Sequence, residues 1–262
     1  MKLICKDIRN WFNEYVLDFA EGNDRQNIIL KIEHSQRVAA DIIAISQALG
    51  LSGDKLYLAE IVGILHDVGR FEQYKRYGTY SDAKSVDHAR FGVGILQKMK
   101  VLKDLPEKEQ ELVTKAILYH NRLILPADEN EEILFYSRLL RDADKLDIFK
   151  VVTDYYAIRD QGRNETLELD LPEHGDVSEA VYQAVYDKEN VDFKLIKNLN
   201  DFKLLQAGWV YNLNYIPTIR FFKERDYLAK IKNAMPTEKR LDEIFLMINA
   251  YIDQKLADGN KT

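Results

Sequence analysis

A single cysteine, Cys5, excludes an internal disulfide framework from this 262-residue chain, so nothing in it points to an oxidising compartment. Proline (5) and glycine (12) are scarce and fall mostly between periodic runs, which argues against a turn-rich β architecture. No apolar run approaches the length that spans a bilayer, and MKLICKDIRNWF places Lys2, Lys6, Asp7 and Arg9 where a signal peptide needs its apolar core. Net positive charge is also lacking: at −6 the chain leaves no electrostatic footprint for a nucleic-acid polymer, and its one local basic and aromatic patch, RFEQYKRYGTYSDAK, suits a small anion. There is no internal repeat, low-complexity tract or P-loop. The expected location is cytoplasmic, with neither membrane nor nucleic-acid polymer as a partner.

What is present is helical text. A 46% hydrophobic and 31% charged composition is ordinary for a globular chain, and its apolar positions recur at helical spacing, so the expected fold class is all-α. Ile4, Ile8, Trp11, Phe12, Tyr15 and Phe19 mark a first helix to Ala20, and EGNDRQN (21–27) breaks it. A second helix to Leu49 buries Val38, Ile42, Ile45 and Leu49. Gly50 to Gly53 reads as a C-cap followed by Ser52 as the next N-cap. After Gly69 the chain reads as a loop of about seventeen residues, RFEQYKRYGTYSDAKSV, an ordered lid or wall with four aromatic residues. Ser85 or Asp87 caps a fourth helix to Lys100, Pro106 opens a fifth ending at His120, and a sixth spans Glu131 to about Asp160. Thr166 to Pro172 alternates like a short strand or extended connector, and Val177–Tyr186, Phe202–Lys230 and Glu238–Leu256 read as closing helices, the second interrupted at Pro217.

The chemistry concentrates around Glu60–Tyr74, EIVGILHDVGRFEQY, where an apolar helix ends on adjacent His66 and Asp67. Alone, this pair is best read as a helix cap and the start of a turn. Four of the five histidines, however, His34, His66, His88 and His120, each fall at an end or face of a different helix, and Asp144 follows in RDADKLD. An imidazole and a carboxylate side by side in apolar text are costly to bury unpaired, and a metal ion removes that cost. On ideal helical geometry Asp142 points about 160° away from Asp144, so of the two acids Asp144 is assigned to the metal. His174, in EHGD, reads as a surface-loop histidine.

The strings HSQRVA at His34, LHDVGR at His66, DHARFG at His88, YHN at His120 and RDADKLD at Asp144, in that order, resemble the HD superfamily of metal-dependent phosphohydrolases. The resemblance runs from about Leu30 to Phe149 and leaves the C-terminal part without a family reading. It implies a helical HD-type domain over residues 1–160, followed by a helical extension, 161–262, packed on it or continuous with it. It also implies that His34, His66, Asp67 and Asp144 hold one metal while Asp67 bridges to a second held by His88 and His120. Four imidazoles and two carboxylates suit two divalent transition-metal ions, Mn, Fe, Co, Ni or Zn, better than Mg or Ca.

The activity implied is hydrolysis of a small anionic phosphoester, a nucleotide or related metabolite, by metal-activated water, with Asp67 and Arg70 as catalytic residues. Arg70, three residues after Asp67, is equally a phosphate fork and a solvated loop charge; Lys145 and Arg90 are further substrate-binding candidates. Arg37, one turn after His34, reads as a partner of the cluster or a structural ion pair. A di-iron oxygenase with the same ligand set is the rival enzyme, and a non-catalytic nucleotide sensor is the third reading. Asn121-Arg122 stands where cyclic-di-GMP phosphodiesterases carry a second His and a GYP signature, which excludes that substrate class.

Overall fold

The structure, a computed structural model, describes residues 1–20 and 25–259; residues 21–24 of the expected EGNDRQN break lie outside the described residues. The chain is all-α, and no strand occurs among the described residues. It divides into two compact units, residues 1–147 and 148–262.

The first unit is built from α1 (Lys2–Leu17), α2 (Arg25–Ala48), α3 (Asp54–Leu65), α4 (Val68–Tyr77), α5 (His88–Lys98), α6 (Glu107–Tyr119) and most of α7 (Glu131–Ile158). Helix α3 lies at its centre, packed by α1, α2 and α6, because it is apolar nearly all round: Leu58, Ala59, Ile61, Val62, Gly63, Ile64 and Leu65 are all buried. Of the stripe expected on α2, Val38, Ile42 and Ile45 are fully buried, while Leu49 lies just past the end of the helix and is only half-buried. Helix α1 buries Cys5, Ile8, Phe12 and Val16, and burial pushes the Cys5 thiol up to about 12. Gly53, with φ +58, is the N-cap of α3 in place of Ser52.

The long loop expected after Gly69 is corrected by α4, which continues as helix to Tyr77 and ends at Gly78 in the left-handed conformation. The break sits two residues earlier, at Asp67 (φ −105°, ψ 16°), and Gly69 serves another purpose. A Cβ built on Gly69 would lie 2.2 Å from His88 O and 2.6 Å from Gly92 N, so the two glycines let α4 and α5 cross backbone to backbone. Of the aromatics in this stretch, Phe71 is fully buried, its ring against Phe12, Tyr15 and Phe19, while the Tyr74 and Tyr80 rings lie 4.6 Å apart and tilted by 38°.

The second unit holds the end of α7, then α8 (Glu165–Glu168), α9 (Glu179–Tyr186), α10 (Leu199–Gly208), α11 (Ile216–Glu224), α12 (Tyr227–Asn233) and α13 (Lys239–Gly259). Its core gathers Phe149, Val181, Val185, Leu204, Phe222, Ile231, Ile244 and Ile248, with the Phe149 and Phe222 rings 4.7 Å apart. The alternating stretch Thr166–Pro172 is no strand. Asn164 caps a single helical turn that stops at Leu169 and Asp170, both at positive φ. Glu168 overrides the alternation: it is fully buried and accepts from Tyr155 Oη (2.6 Å), Arg159 Nε (2.5 Å) and Arg163 Nε (2.5 Å). The helix expected over Phe202–Lys230 is broken more than once, since a 3-10 turn at Trp209–Asn212 follows α10 and Asp226 takes φ +57° between α11 and α12.

Candidate metal centre

Helix ends orient three of the four clustered histidines. His66 closes α3 and His120 closes α6, and each Nδ1 meets the carbonyl three residues back, Gly63 O at 2.8 Å and Ile117 O at 2.6 Å. A carbonyl can only accept, so both Nδ1 atoms carry the proton and donate it. His88 opens α5, whose first turn is fixed by Asp87 Oδ1 accepting from Ala89 N (3.0 Å) and Arg90 N (3.2 Å). Its Nδ1 donates to Asp82 Oδ2 at 2.6 Å. His34, inside α2, donates from Nδ1 to Asp147 Oδ2 at 2.6 Å, and Arg37 holds that carboxylate through Nε (2.5 Å) and Nη2 (3.1 Å).

With every Nδ1 so engaged, the Nε2 atoms turn inward on one another. His34 and His66 approach to 3.2 Å and His88 and His120 to 2.9 Å, Nε2 to Nε2. Asp67 divides them. Its Oδ2 lies 3.5 Å from His34 Nε2 and 3.4 Å from His66 Nε2, and its Oδ1 lies 3.4 Å from His88 Nε2 and 3.8 Å from His120 Nε2. Asp144 Oδ1 completes the first half, 3.2 Å from His34 Nε2 and 3.8 Å from His66 Nε2. All six residues are thus brought together. The histidines and Asp67 are buried; Asp144, Lys31 and Arg70 keep side-chain exposures of 18%, 16% and 17% and mark where the cluster meets solvent.

Charge in the cluster is tightly opposed. Burial works against an ionised Asp67, but Lys31 and the surrounding imidazoles hold its carboxyl well below the usual range. Asp144 is lowered likewise, by His34 and His66 against burial. His34 is raised to about 10, because the Asp144, Asp147 and Asp67 carboxylates outweigh burial and Lys31. Burial lowers His66, and burial with Arg70 lowers His88 to about 4.

The donor set fits a divalent metal on this geometry alone. Burial favours the neutral form of His66 and His88, whose Nε2 lone pairs then face ring nitrogens and carboxylate oxygens in a buried space, a cost that a cation there removes; His34, raised to about 10, carries a second proton at Nε2, which a metal ion would replace. Outer partners that fix tautomer and ring orientation, Asp147, Asp82 and two carbonyls, are the arrangement that metal-ligating imidazoles require. His34, His66 and Asp144, and separately His66, Asp67 and His120, place ligand atoms within 4.8 Å of one another.

The other anticipated residues are placed variously. Arg70 lies in the first turn of α4 and is turned into the protein: Nη1 donates to Gln73 Oε1 (2.9 Å), Asp82 Oδ1 (2.8 Å) and Tyr80 O, and its buried Nε, without a hydrogen-bond partner, lies 3.6 Å from Asp67 Oδ1. It is neither the free fork nor the solvated charge that the sequence offered. Arg90 is 72% exposed beside Asp87 and is not brought to the cluster. Lys145, half-buried next to Asp144, is lowered to about 8 by burial and Arg141. Arg37 is the partner of Asp147, and His174 is exposed in a loop of the second unit. Three residues escaped the sequence reading: Asp82 and Asp147 as imidazole acceptors, and Lys31, whose ammonium pairs with Asp67 Oδ2. The one sequence signal for Lys31 is its place one turn before His34 on the same helix face.

Fold and cluster together define a helical protein with a buried histidine–aspartate cluster that could hold a metal ion. Residues 32–148 match the family model of the HD domain, and the His/Asp groups gathered there are compatible with a metal site; HD domains bind divalent metals and are generally metal-dependent hydrolases. No curated protein and no solved structure matches the chain. No helix among the described residues is long and apolar enough to cross a membrane.

Proposed function

We propose that the chain is a phosphohydrolase that cleaves a small phosphoester, a nucleotide or related phosphometabolite, at a dinuclear centre. The observation that carries this reading is the division of Asp67, one oxygen facing His34, His66 and Asp144 and the other facing His88 and His120. His34, His66, Asp67 and Asp144 would hold one divalent transition metal, and Asp67, His88 and His120 a second. Two such ions supply an activated water and neutralise the charge that develops during phosphoryl displacement.

The chain's own residues do the rest. Asp82 and Asp147 hold His88 and His34 as Nδ1 donors and keep their Nε2 atoms aimed at the centre. Arg70 Nε carries a buried N–H beside Asp67, positioned to donate to an anionic oxygen arriving there. Burial of the imidazoles excludes bulk water from that side, so a substrate approaches past Lys31, Arg70 and Asp144.

The test is elemental analysis of protein prepared without chelator, followed by a phosphoester panel assayed anaerobically with manganese or cobalt. Bound metal, phosphate release, and loss of both in His66→Ala and Asp67→Ala are the expected results. Metal content unchanged in both variants would remove the centre. Oxygen uptake by iron-loaded protein without phosphate release would assign the cluster to an oxygenase.

A further inference from the structure

Beside the Arg70 Nε–H, the rim of the cluster holds other cations that could receive the substrate. Arg70 Nη1 is held by Gln73, Asp82 and Tyr80 O, and Arg90 stands exposed with Asp87. Lys31 differs from both. It rises from α2 one turn before His34, its side chain is 16% exposed, and its ammonium pairs with Asp67 Oδ2, the oxygen that also faces His34 and His66. Around it, Asn27 Nδ2 donates to Tyr74 Oη at 2.7 Å, Tyr80 Oη donates to Asn27 O at 2.9 Å, and the Lys31 ammonium lies 5.9 Å from the Tyr80 ring centroid. Asn27, Lys31 and His34 follow one another at helical spacing on α2, so this rim and the metal cluster share one helix face.

We infer that Lys31 is a further anion-binding residue for the substrate, beside Arg70 Nε, and that it changes partner to become so. Without metal it neutralises Asp67. With divalent ions on both oxygens of Asp67, that carboxylate no longer needs a lysine, and like charge drives the ammonium away from the ions. A compact, rotatable ammonium on a four-carbon arm can swing without disturbing the helix, which a forked and fixed Arg70 cannot do. Its new partner at the mouth is an anionic oxygen of the substrate, a phosphoryl oxygen on the reading proposed above, on which this inference rests.

Calorimetric titration of inorganic phosphate into the manganese-loaded 262-residue chain tests it. Lys31→Met is expected to weaken phosphate binding at least tenfold with manganese content unchanged, while Lys31→Arg keeps most of the affinity. In metal competition without phosphate, Lys31→Met should bind manganese more tightly than wild type, because it lacks the internal competitor. If Lys31→Met proves unfolded by circular dichroism, Lys31→Gln replaces it with the same expectations. Equal phosphate affinity in wild type and the neutral variant, at equal metal content, overturns the inference and leaves Lys31 as a charge balance for Asp67 alone. Wild type that takes up manganese but no phosphate overturns the hydrolase reading and this inference together. Wild type that takes up no manganese removes the metal centre itself.

Discussion

Replacing Gly69 by alanine adds one methyl group where no space exists for it. The new Cβ would stand 2.2 Å from His88 O, 2.6 Å from Gly92 N and 3.0 Å from Gly92 Cα, and all three are main-chain atoms that cannot rotate aside. Ordinary carbon contacts lie at about 3.5 Å, so the start of α5 must retreat by roughly 1 Å. Overpacking of this kind costs about 1–3 kcal/mol, against which alanine in a helix returns about 1 kcal/mol over glycine. The larger effect is local. His88 is the first residue of α5, and metal ligation tolerates displacements of only about 0.2 Å. Gly69→Ala should therefore keep the half of the centre built on His34, His66 and Asp144 and lose the half that needs His88 with His120, halving the metal content. Gly94, on α5 like His88 and with nothing within 4 Å of its Cβ, is the control, and Gly94→Ala should leave metal content unchanged and stability equal or slightly higher. Elemental analysis with urea denaturation reads both quantities. Full metal content and wild-type stability in Gly69→Ala would show that the α4–α5 crossing does not position His88.

Asp147→Asn removes the charged acceptor of His34 Nδ1 and the partner of Arg37, and should weaken metal binding about 10–100-fold in chelator competition without abolishing the fold. Glu168 gives a pH dependence to the second unit. Burial opposes its charge, but Arg159, Tyr155 and Arg163 lower its folded pKa beneath the ordinary 4.5, so its contribution is present above pH 4.5 and fades as the pH falls below that value. Guanidinium midpoints measured from pH 3 to 6 should fall toward acid in wild type and fall less steeply in Glu168→Gln; parallel curves would refute the assignment. Chelator should lower the melting temperature of wild type, read by circular dichroism, with recovery on adding manganese, whereas a variant lacking both His66 and Asp67 should melt alike in both conditions.

How far the sequence carried this picture depends on what each residue type signals in isolation. Histidines are rare enough in this chain that four of them, each at an end or face of a different helix, stand out in the sequence together with Asp67 and Asp144, and the structure brings those six together. Carboxylates carry no such signal. Asp82 sits in a 3-10 turn and Asp147 one turn beyond Asp144, and only the fold shows that each receives an imidazole N–H. Glycine misled in one place, because Gly69 has the composition of a helix break while its missing side chain is needed for the crossing with Gly92. Alternation misled in another, where Thr166–Pro172 has the period of a strand but the burial of Glu168 winds it into a helical turn. Arg70 stood where a phosphate fork belongs; the partner that captures its guanidinium, Asp82, lies twelve residues away and is not legible from spacing.

The four outer partners of the imidazoles also sort the centre by basicity. In each half one ring leans on an ionised carboxylate, His34 on Asp147 and His88 on Asp82, and the other leans on a neutral main-chain carbonyl, His66 on Gly63 and His120 on Ile117. A ring whose N–H faces an anion donates more electron density through its far nitrogen than one facing a carbonyl. On the dinuclear reading proposed above, each half would offer one stronger and one weaker imidazole together with one oxygen of Asp67, and only the first would add a second carboxylate, Asp144. That carboxylate, at the solvent edge, would make the first position the tighter of the two and the one that fills first.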